Sequence, residues 1–352
     1  MSRPVHVLTP APTRRAASPM PNPTAVARII GAAHRPPLMP EVAIIVVNWN
    51  GAHLLRTCLG ALRAQTFTDF ETVLVDNGST DESLSLLARE FPDVRVIALN
   101  ENLGLAGGTN VAIRQTDAPI IVTLNNDTEA DPNWLAELCA GLVAHPEAGS
   151  AASKLLLFDR RDTIHAAGDF YGLDGIPGNR GVWQRDDGSF DKAELIFGAC
   201  AGAAAYRRSM LDDVGLFEDN FFMYCEDVDL SFRCQLLGYR CVYVPTAVVY
   251  HMLSATGGGP LASYYCGRNF LRVIARDMPG PLLGRVWPRI LLAQLRMVAE
   301  SVWHVREPAA RARLRGQWDG LRELPRTLGE RQGIQQRRRV PIRYLRSILG
   351  AP

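Results

Sequence analysis

Three acids within four residues, Glu226, Asp227 and Asp229, follow the aromatic run Phe221-Phe222-Met223-Tyr224 with only Cys225 between. A carboxylate beside apolar groups loses hydration, which raises its proton affinity and suits it to take a proton from a sugar hydroxyl. The same acids sit where a helix begins, and the helix dipole favours acids there without any catalytic duty. Asp229 precedes Arg233 by four residues, a spacing that predicts an ion pair on a helix surface.

A second group, Asn125-Asn126-Asp127, follows the apolar run 120–124. A strand-end carboxylate among amides can hold a divalent cation that takes its other ligands from phosphate oxygens and water. Read alone, the triplet is equally a polar turn that closes a strand. His251 ends another apolar segment, just before Gly257-Gly258-Gly259. By itself it reads as structural; beside an Asp-bound cation it becomes a third ligand. Gly104-Leu-Ala-Gly107-Gly108 lacks the GxGxxG spacing and follows the third strand instead of the first, which excludes a nicotinamide dinucleotide loop.

The elements that must position these residues alternate. Apolar 43–47 reads as a strand buried on both faces, and Leu54, Leu55, Cys58, Leu59 and Leu62 recur at helical spacing. Residues 72–75 form a second strand, and Ser79-x-x-Glu82 is a capping box that opens a helix through Arg89. A third strand covers 94–98 and a third helix 106–115; a fourth strand covers 120–124. Asp131-Pro132 supplies a helix start that runs to about Ala144. This alternation predicts an α/β sheet with right-handed crossovers and a ligand beyond the strands' carboxyl ends. All four of those ends carry Asn or Asp: Asn48 and Asn50, Asp76 and Asn77, Asn100 and Asn102, and Asn125–Asp127. After 150 come short strands and glycine-rich loops, then a helix over 226–237 closed by Gly238. Short strands at 242–244 and 247–251 and helices over 261–276 and 282–305 complete the pattern.

The 352 residues, 47% hydrophobic and 21% charged, suffice for one large domain with appendages. Seven cysteines without a CxxC pair argue against a disulfide framework or a zinc site and fit a reducing compartment. No apolar stretch reaches the roughly 18 residues of a membrane span. The net charge of +2 is uneven: residues 1–40 carry +5 and 311–352 carry +8, which leaves an acidic body at −11. That body argues against nucleic acid as a partner. With nine prolines and no periodicity, 1–40 reads as a disordered basic arm.

The ordered set Val46-Val-Asn-Trp-Asn-Gly51, Val75-Asp-Asn-Gly-Ser79, Asn102-Leu-Gly-Leu-Ala-Gly-Gly-Thr-Asn110, Leu124-Asn-Asn-Asp127, Gly198-Ala-Cys-Ala-Gly202 and Glu226-Asp-Val-Asp229 resembles the inverting glycosyltransferases of family 2. The resemblance spans about 43–277 and is greatest to the bacterial rhamnosyltransferase branch. It implies an α/β, nucleotide-sugar-binding GT-A domain over 41–277, between the arm and a helical, basic extension over 278–352. It makes Asn48, Asn50, Asp76 and Asn77 the base and ribose contacts, with Gly104, Gly107 and Asn110 shaping the same pocket. Asn125-Asn126-Asp127 takes the family's Asp-x-Asp position with Asn125 in place of the first acid, which leaves metal dependence open. Asp127 and His251 would hold Mg²⁺ or Mn²⁺. Asp227 would be the catalytic base, with Glu226 beside it.

The implied activity is inverting, metal-dependent hexosyl transfer from dTDP-L-rhamnose to a hydroxyl of a glycan or a lipid-linked glycan acceptor. UDP-sugars and GDP-mannose are alternative donors, and a non-catalytic sugar-nucleotide-binding protein is the alternative from another class. A nucleotidyltransferase would need a glycine- and lysine-rich loop near the start, which Gly51-Ala-His-Leu is not. The expected location is cytoplasmic, with peripheral contact at the inner face of the plasma membrane. For Trp287, Leu291, Leu292, Leu295, Val298, Val302 and Trp303, flanked by Arg285, Arg289 and Arg296, two readings stay open: packing on the catalytic domain, or attachment to anionic lipid.

Overall fold

Six successive apolar residues leave Val42–Asn48 no polar face, and it becomes β1, buried on both sides within the sheet. The computed structural model describes residues 40–253 and 258–350. Apart from Pro40, the expected basic arm lies outside the described residues. Helix α1 (Ala52–Arg63) buries Leu54, Leu55, Cys58, Leu59 and Leu62, the stripe its sequence spacing predicts. Then follow β2 (Phe70–Asp76), α2 (Ser83–Glu90), β3 (Arg95–Ala98), α3 (Gly104–Ile113) and β4 (Ile120–Leu124). β1 pairs in parallel with β2 and β4, and β2 with β3. Their carboxyl ends therefore share one rim.

Two predicted helix starts are corrected. The capping box at Ser79 does not form: Ser79 Oγ accepts from the Asn50 main-chain N–H at 2.9 Å and faces Asn48 Nδ2 at 3.4 Å. α2 begins four residues later, where Asp81 accepts from the Ser83 N–H. Asp131 likewise accepts from the Asn133 N–H, so Pro132 lies in a turn before the helix that begins at Trp134.

Past β4 the sheet turns mixed. The chain runs through β5 (Thr128–Ala130), α4 (Trp134–Ala144), β6 (Ala148–Leu157), β7 (Ile164–Ala166), the ribbon β8 (Asp169–Tyr171) and β9 (Pro177–Asn179), β10 (Glu194–Ile196) and β11 (Ala203–Arg207). After α5 (Arg208–Val214) and α6 (Glu226–Leu237) comes β12 (Arg240–His251). The strand order is β10-β12-β6-β11-β4-β1-β2-β3, with β5 on β12 and β7 on β6. The two short strands expected over 242–251 are one strand, whose register against β6 shifts between Val244 and Val248. The result is an α/β fold with a mixed central sheet flanked by helices.

Five helices close the chain: α7 (Gly259–Asp277), α8 (Gly280–Trp303), α9 (Pro308–Arg322), α10 (Leu324–Gln336) and α11 (Ile342–Ile348). α7 and α9 approach so closely that a methyl group on Gly267 would lie 2.6 Å from the Arg313 carbonyl oxygen. Arg272–Glu323 at 2.8 Å holds this layer together, and Arg276 ties it to the sheet domain by ion pairs to Asp229 and Glu218, each at 2.7 Å. Asp229 and Arg233 do pair, at 2.7 Å, but both are buried, so the expected surface pair is an internal one. Among the described residues no helix is long and apolar enough to cross a membrane.

Candidate active site

The strand ends build one side of the site. Asn48, at the end of β1, donates to Asp76 Oδ1 across the β1–β2 register and to Ser83 Oγ, and accepts from Asn126 Nδ2 at 2.8 Å. Gly51 makes room for that last bond, because a Cβ there would meet both side chains at 2.5 Å. Asn77 donates to Asn102 Oδ1 and the Gly104 carbonyl and accepts from the Leu103 N–H, which fixes the loop before α3.

These bonds change the meaning of the polar rim. A cavity of about 540 Å³ lies beyond it, bordered by Asn77, Gly104, Asn125, Asn126 and Asp127 among others. Asn48, Asn50, Asp76, Gly107 and Asn110 are not brought to its wall. Asn48 and Asn110 are fully buried. Asn110 is held by Phe217 and Asp219, and Asn50 Oδ1 accepts from the Thr80 N–H. Asp76 Oδ2 accepts from the Ser79 N–H, and Gly107 packs on Leu103. Their direct surroundings are loops that they brace, not the open space.

The opposite wall comes from residues 222–227. Phe222, Tyr224 and Cys225 all have φ near +65°, a left-handed conformation disfavoured for residues with a Cβ. Asn269 of α7, fully buried, donates from Nδ2 to the carbonyls of Phe221, Met223 and Tyr224 at 3.1, 3.0 and 2.7 Å. This bent segment delivers Glu226 and Asp227, at the first turn of α6, to the same cavity that Asp127 borders.

Asp227 accepts main-chain N–H bonds from Ala201 at 3.0 Å and Val228 at 2.8 Å. Burial raises its pKa, and these bonds partly offset that rise. Burial first, and the Asp227 charge second, push Glu226 and Asp169 well above the carboxylate range. Three carboxyl groups thus share one buried neighbourhood, and Asp227 is the one best supplied with donors for an anion. Asp169, at the start of β8, accepts from Asn179 Nδ2 across the ribbon at 2.8 Å and also borders the cavity. Glu226 Oε2 is buried without a hydrogen-bond partner.

On the far side, His251 Nε2 lies 3.1 Å from Asp127 Oδ1, and His251 Nδ1 lies 3.1 Å from His165 Nδ1. β6 brings them together, since it pairs with β12, which ends in His251, and with β7, which carries His165. One carboxylate oxygen and one imidazole nitrogen side by side suit a divalent cation that draws its other ligands from a diphosphate. Among the described residues no three His, Cys, Asp or Glu side chains form a self-sufficient metal site. A cation here would need those further oxygens.

Asp169 and His165 escape a reading of the sequence. Each stands alone in an irregular stretch of loops and three-residue strands, and only the pairing of those strands gives it a place. Trp49, which also borders the cavity and is 46% exposed, carries no signal in the sequence beyond its place at a strand end.

Residues 43–215 match the family described as "Glycosyl transferase family 2". A PGL/p-HBAD biosynthesis glycosyltransferase of Mycobacterium bovis is 30% identical over 278 residues, 76% of this chain and 98% of the relative. The N-acetylglucosaminyl-diphospho-decaprenol L-rhamnosyltransferase of Mycobacterium tuberculosis is 26% identical over 62% of this chain and 78% of its own. The O-antigen biosynthesis protein RfbC of Myxococcus xanthus is 30% identical over 228 residues, and there the chain spans only 18% of the relative's length. Among solved structures, GalNAc-T7 with UDP, GalNAc and Mn²⁺ superimposes with a TM-score of 0.55 at 15% identity, over 68% of this chain and 48% of the other. The mannosyltransferase PcManGT of Pyrobaculum calidifontis, with GDP-Man and Mn²⁺, gives 0.51 at 19% identity, over 90% and 91%. At such identities these two are similar in fold.

Proposed function

Because the chain belongs to glycosyltransferase family 2, we propose that it transfers a hexose with inversion, L-rhamnose from dTDP-L-rhamnose, to a hydroxyl of a glycan or lipid-linked glycan. The observation that carries this reading is that Asp227 and the Asp127–His251 pair, from distant parts of the chain, border one cavity. The choice of rhamnose leans on the motif resemblance and on the name of the Mycobacterium tuberculosis relative.

In this reading Asp227 is the base. The acceptor oxygen attacks the anomeric carbon, its proton passes to Asp227, and the bond to the diphosphate breaks on the opposite face of the sugar. Displacement from one face inverts the configuration, and no covalent link to the protein forms. The Ala201 and Val228 N–H groups hold Asp227 as the anion before transfer. Burial disfavours the charged forms of Glu226 and Asp169, and with them a second negative charge beside it. Asp127 and His251 would hold Mg²⁺ or Mn²⁺, which supplies positive charge where negative charge develops on the leaving diphosphate. Asn77 and Gly104, with Asn125 and Asn126, would form the wall toward the nucleotide. Asn48, Asn50, Asp76, Gly107 and Asn110 would act behind that wall by bracing its loops.

The test is a donor screen with the purified chain and a lipid-linked acceptor. It compares dTDP-rhamnose, UDP-sugars and GDP-mannose, reads nucleoside diphosphate release, and assigns the product's anomeric configuration by NMR. Release from dTDP-rhamnose with inverted product is expected. Release only from a UDP- or GDP-sugar would replace the donor and keep the class, whereas retained configuration would remove the mechanism.

A further inference from the structure

We propose that the solvent face of α8 is a docking surface for an anionic lipid bilayer. One side of this helix, with Leu282, Val286, Ile290 and Ser301, is buried against the protein. The opposite side is apolar and open. Trp287, Leu291, Leu295 and Val302 follow one another at intervals of four, four and seven residues, so they form one stripe, and each is about half exposed. Leu292 is 49% exposed and Trp303, at the helix end, 86%.

The other edge of the exposed face carries a second row. It consists of Arg285, Arg289 and Arg296, spaced four and seven residues apart, and lies about 100–140° round the helix from the first, with Leu292 and Trp303 toward its near edge; all three arginines are exposed. No carboxylate partner to any of them is found among the described residues, whereas the arginines of α7 are engaged by Asp229, Glu218, Glu323 and Glu330. The sequence of α8 contains a single acid, Glu300. An apolar stripe flanked by unanswered cations, with a tryptophan near each end of it, is the pattern of a helix lying in a membrane interface. The apolar residues enter the acyl boundary and the guanidinium groups reach the headgroups. A second copy of the chain is the other occupant with the right apolar chemistry. Stripe against stripe, however, it would set six arginines near only two acids, so the charge favours an anionic plane.

The proposal stands apart from the chemistry of the cavity, and its test uses neither donor nor acceptor. The full chain is sedimented with phosphatidylcholine vesicles that contain or lack phosphatidylglycerol, alongside light scattering of the chain alone. Binding is expected only with phosphatidylglycerol and should weaken with salt. Each basic residue near such a surface contributes about fivefold. The triple change R285E/R289E/R296E should therefore weaken binding by roughly 100-fold or more, and L291E/L295E should abolish it. All five positions are exposed, so both variants should keep the wild-type unfolding temperature. No binding by the wild type, or equal binding by the variants, would overturn the proposal. So would a dimer in solution that L291E/L295E dissociates, since the face would then belong to a second copy.

Discussion

Asn269 Nδ2 stands 2.7 Å from the carbonyl oxygen of Tyr224, two residues before Glu226. One side chain of α7 thereby holds a segment whose φ angles at Phe222, Tyr224 and Cys225 would otherwise relax. The C-terminal helices consequently take part in shaping the site. Asn269→Ala leaves three carbonyls without this donor, two of them within three residues of Glu226. A loss of about 1–3 kcal/mol in unfolding free energy is expected. Turnover should fall more than donor affinity does, because the segment carries the base and not the nucleotide wall. Denaturant unfolding together with kcat and donor KM checks both parts; an unchanged kcat would show that α6 places its acids without α7.

Asp227→Asn keeps the shape of the side chain and can still accept an N–H bond. Folding and nucleotide binding should survive, while transfer falls by roughly 10²–10⁴-fold, the range for a lost general base. Isothermal titration with the nucleoside diphosphate, beside a transfer assay, separates the two. Near-normal turnover would take the role away from Asp227.

Burial raises the pKa of Asp169 and Glu226 from their ordinary values of 3.8 and 4.5. A carboxyl group with a raised folded-state pKa favours the fold fully below its unfolded pKa, and that contribution is lost as pH rises toward the folded value. Stability from these two groups should therefore decline from about pH 4 upward. Asp169→Asn and Glu226→Gln remove the ionisation and should flatten the profile, with a gain in stability at neutral pH. Denaturant titrations between pH 4 and 8 read this directly; parallel profiles for wild type and variants would count against protonated neighbours of Asp227.

The sheet was legible because β1, β2 and β4 are apolar through most of their length, and the α/β alternation leaves few ways to connect them. The acids at 226 and 227 were legible because Gly238 and the aromatic run bracket α6 on both sides. The polar rim was half legible. Asn and Asp at four strand ends signal a special rim, but the sequence does not say which side chains face a ligand and which tie loops together. Asn126 donates its amide to Asn48 Oδ1, and Asn48 donates its own to Asp76 and Ser83. Asp229 looked like a surface partner for Arg233 because its spacing is local, while Arg276, its other partner, lies 47 positions on. Asp169 and His165 depend on cross-strand pairing of three-residue strands, for which no local pattern exists.

The Asp127–His251 pair offers two ligands, and among the described residues no three His, Cys, Asp or Glu side chains complete a metal site. A divalent cation should therefore bind weakly to the protein alone and tightly together with a nucleoside diphosphate. Removing metal with EDTA should weaken diphosphate binding by about 10-fold or more, with Asp127→Asn producing the same loss in the presence of Mn²⁺. Calorimetry with and without Mn²⁺ measures both. Equal affinity in EDTA would leave Asp127 and His251 as a hydrogen-bonded structural pair.

Gly104 joins the two walls of the cavity. Its φ is +76°, and a Cβ would press into the Phe222 carbonyl oxygen and ring. Both partners are constrained, since Phe222 is itself at φ +65° and sits in the segment that Asn269 holds. Gly104→Ala should cost at least about 1–2 kcal/mol from the backbone conformation alone, and the clash adds to it. Gly60, inside α1, has nothing within 4 Å of its would-be Cβ and an ordinary helical φ. Gly60→Ala should instead stabilise by about 0.5–1 kcal/mol. Unfolding of the two variants side by side, with transfer rates, distinguishes local strain from a general intolerance of alanine. If Gly104→Ala matches Gly60→Ala in stability and rate, the loop before α3 can move away from Phe222 freely, and the two walls are not coupled at this point.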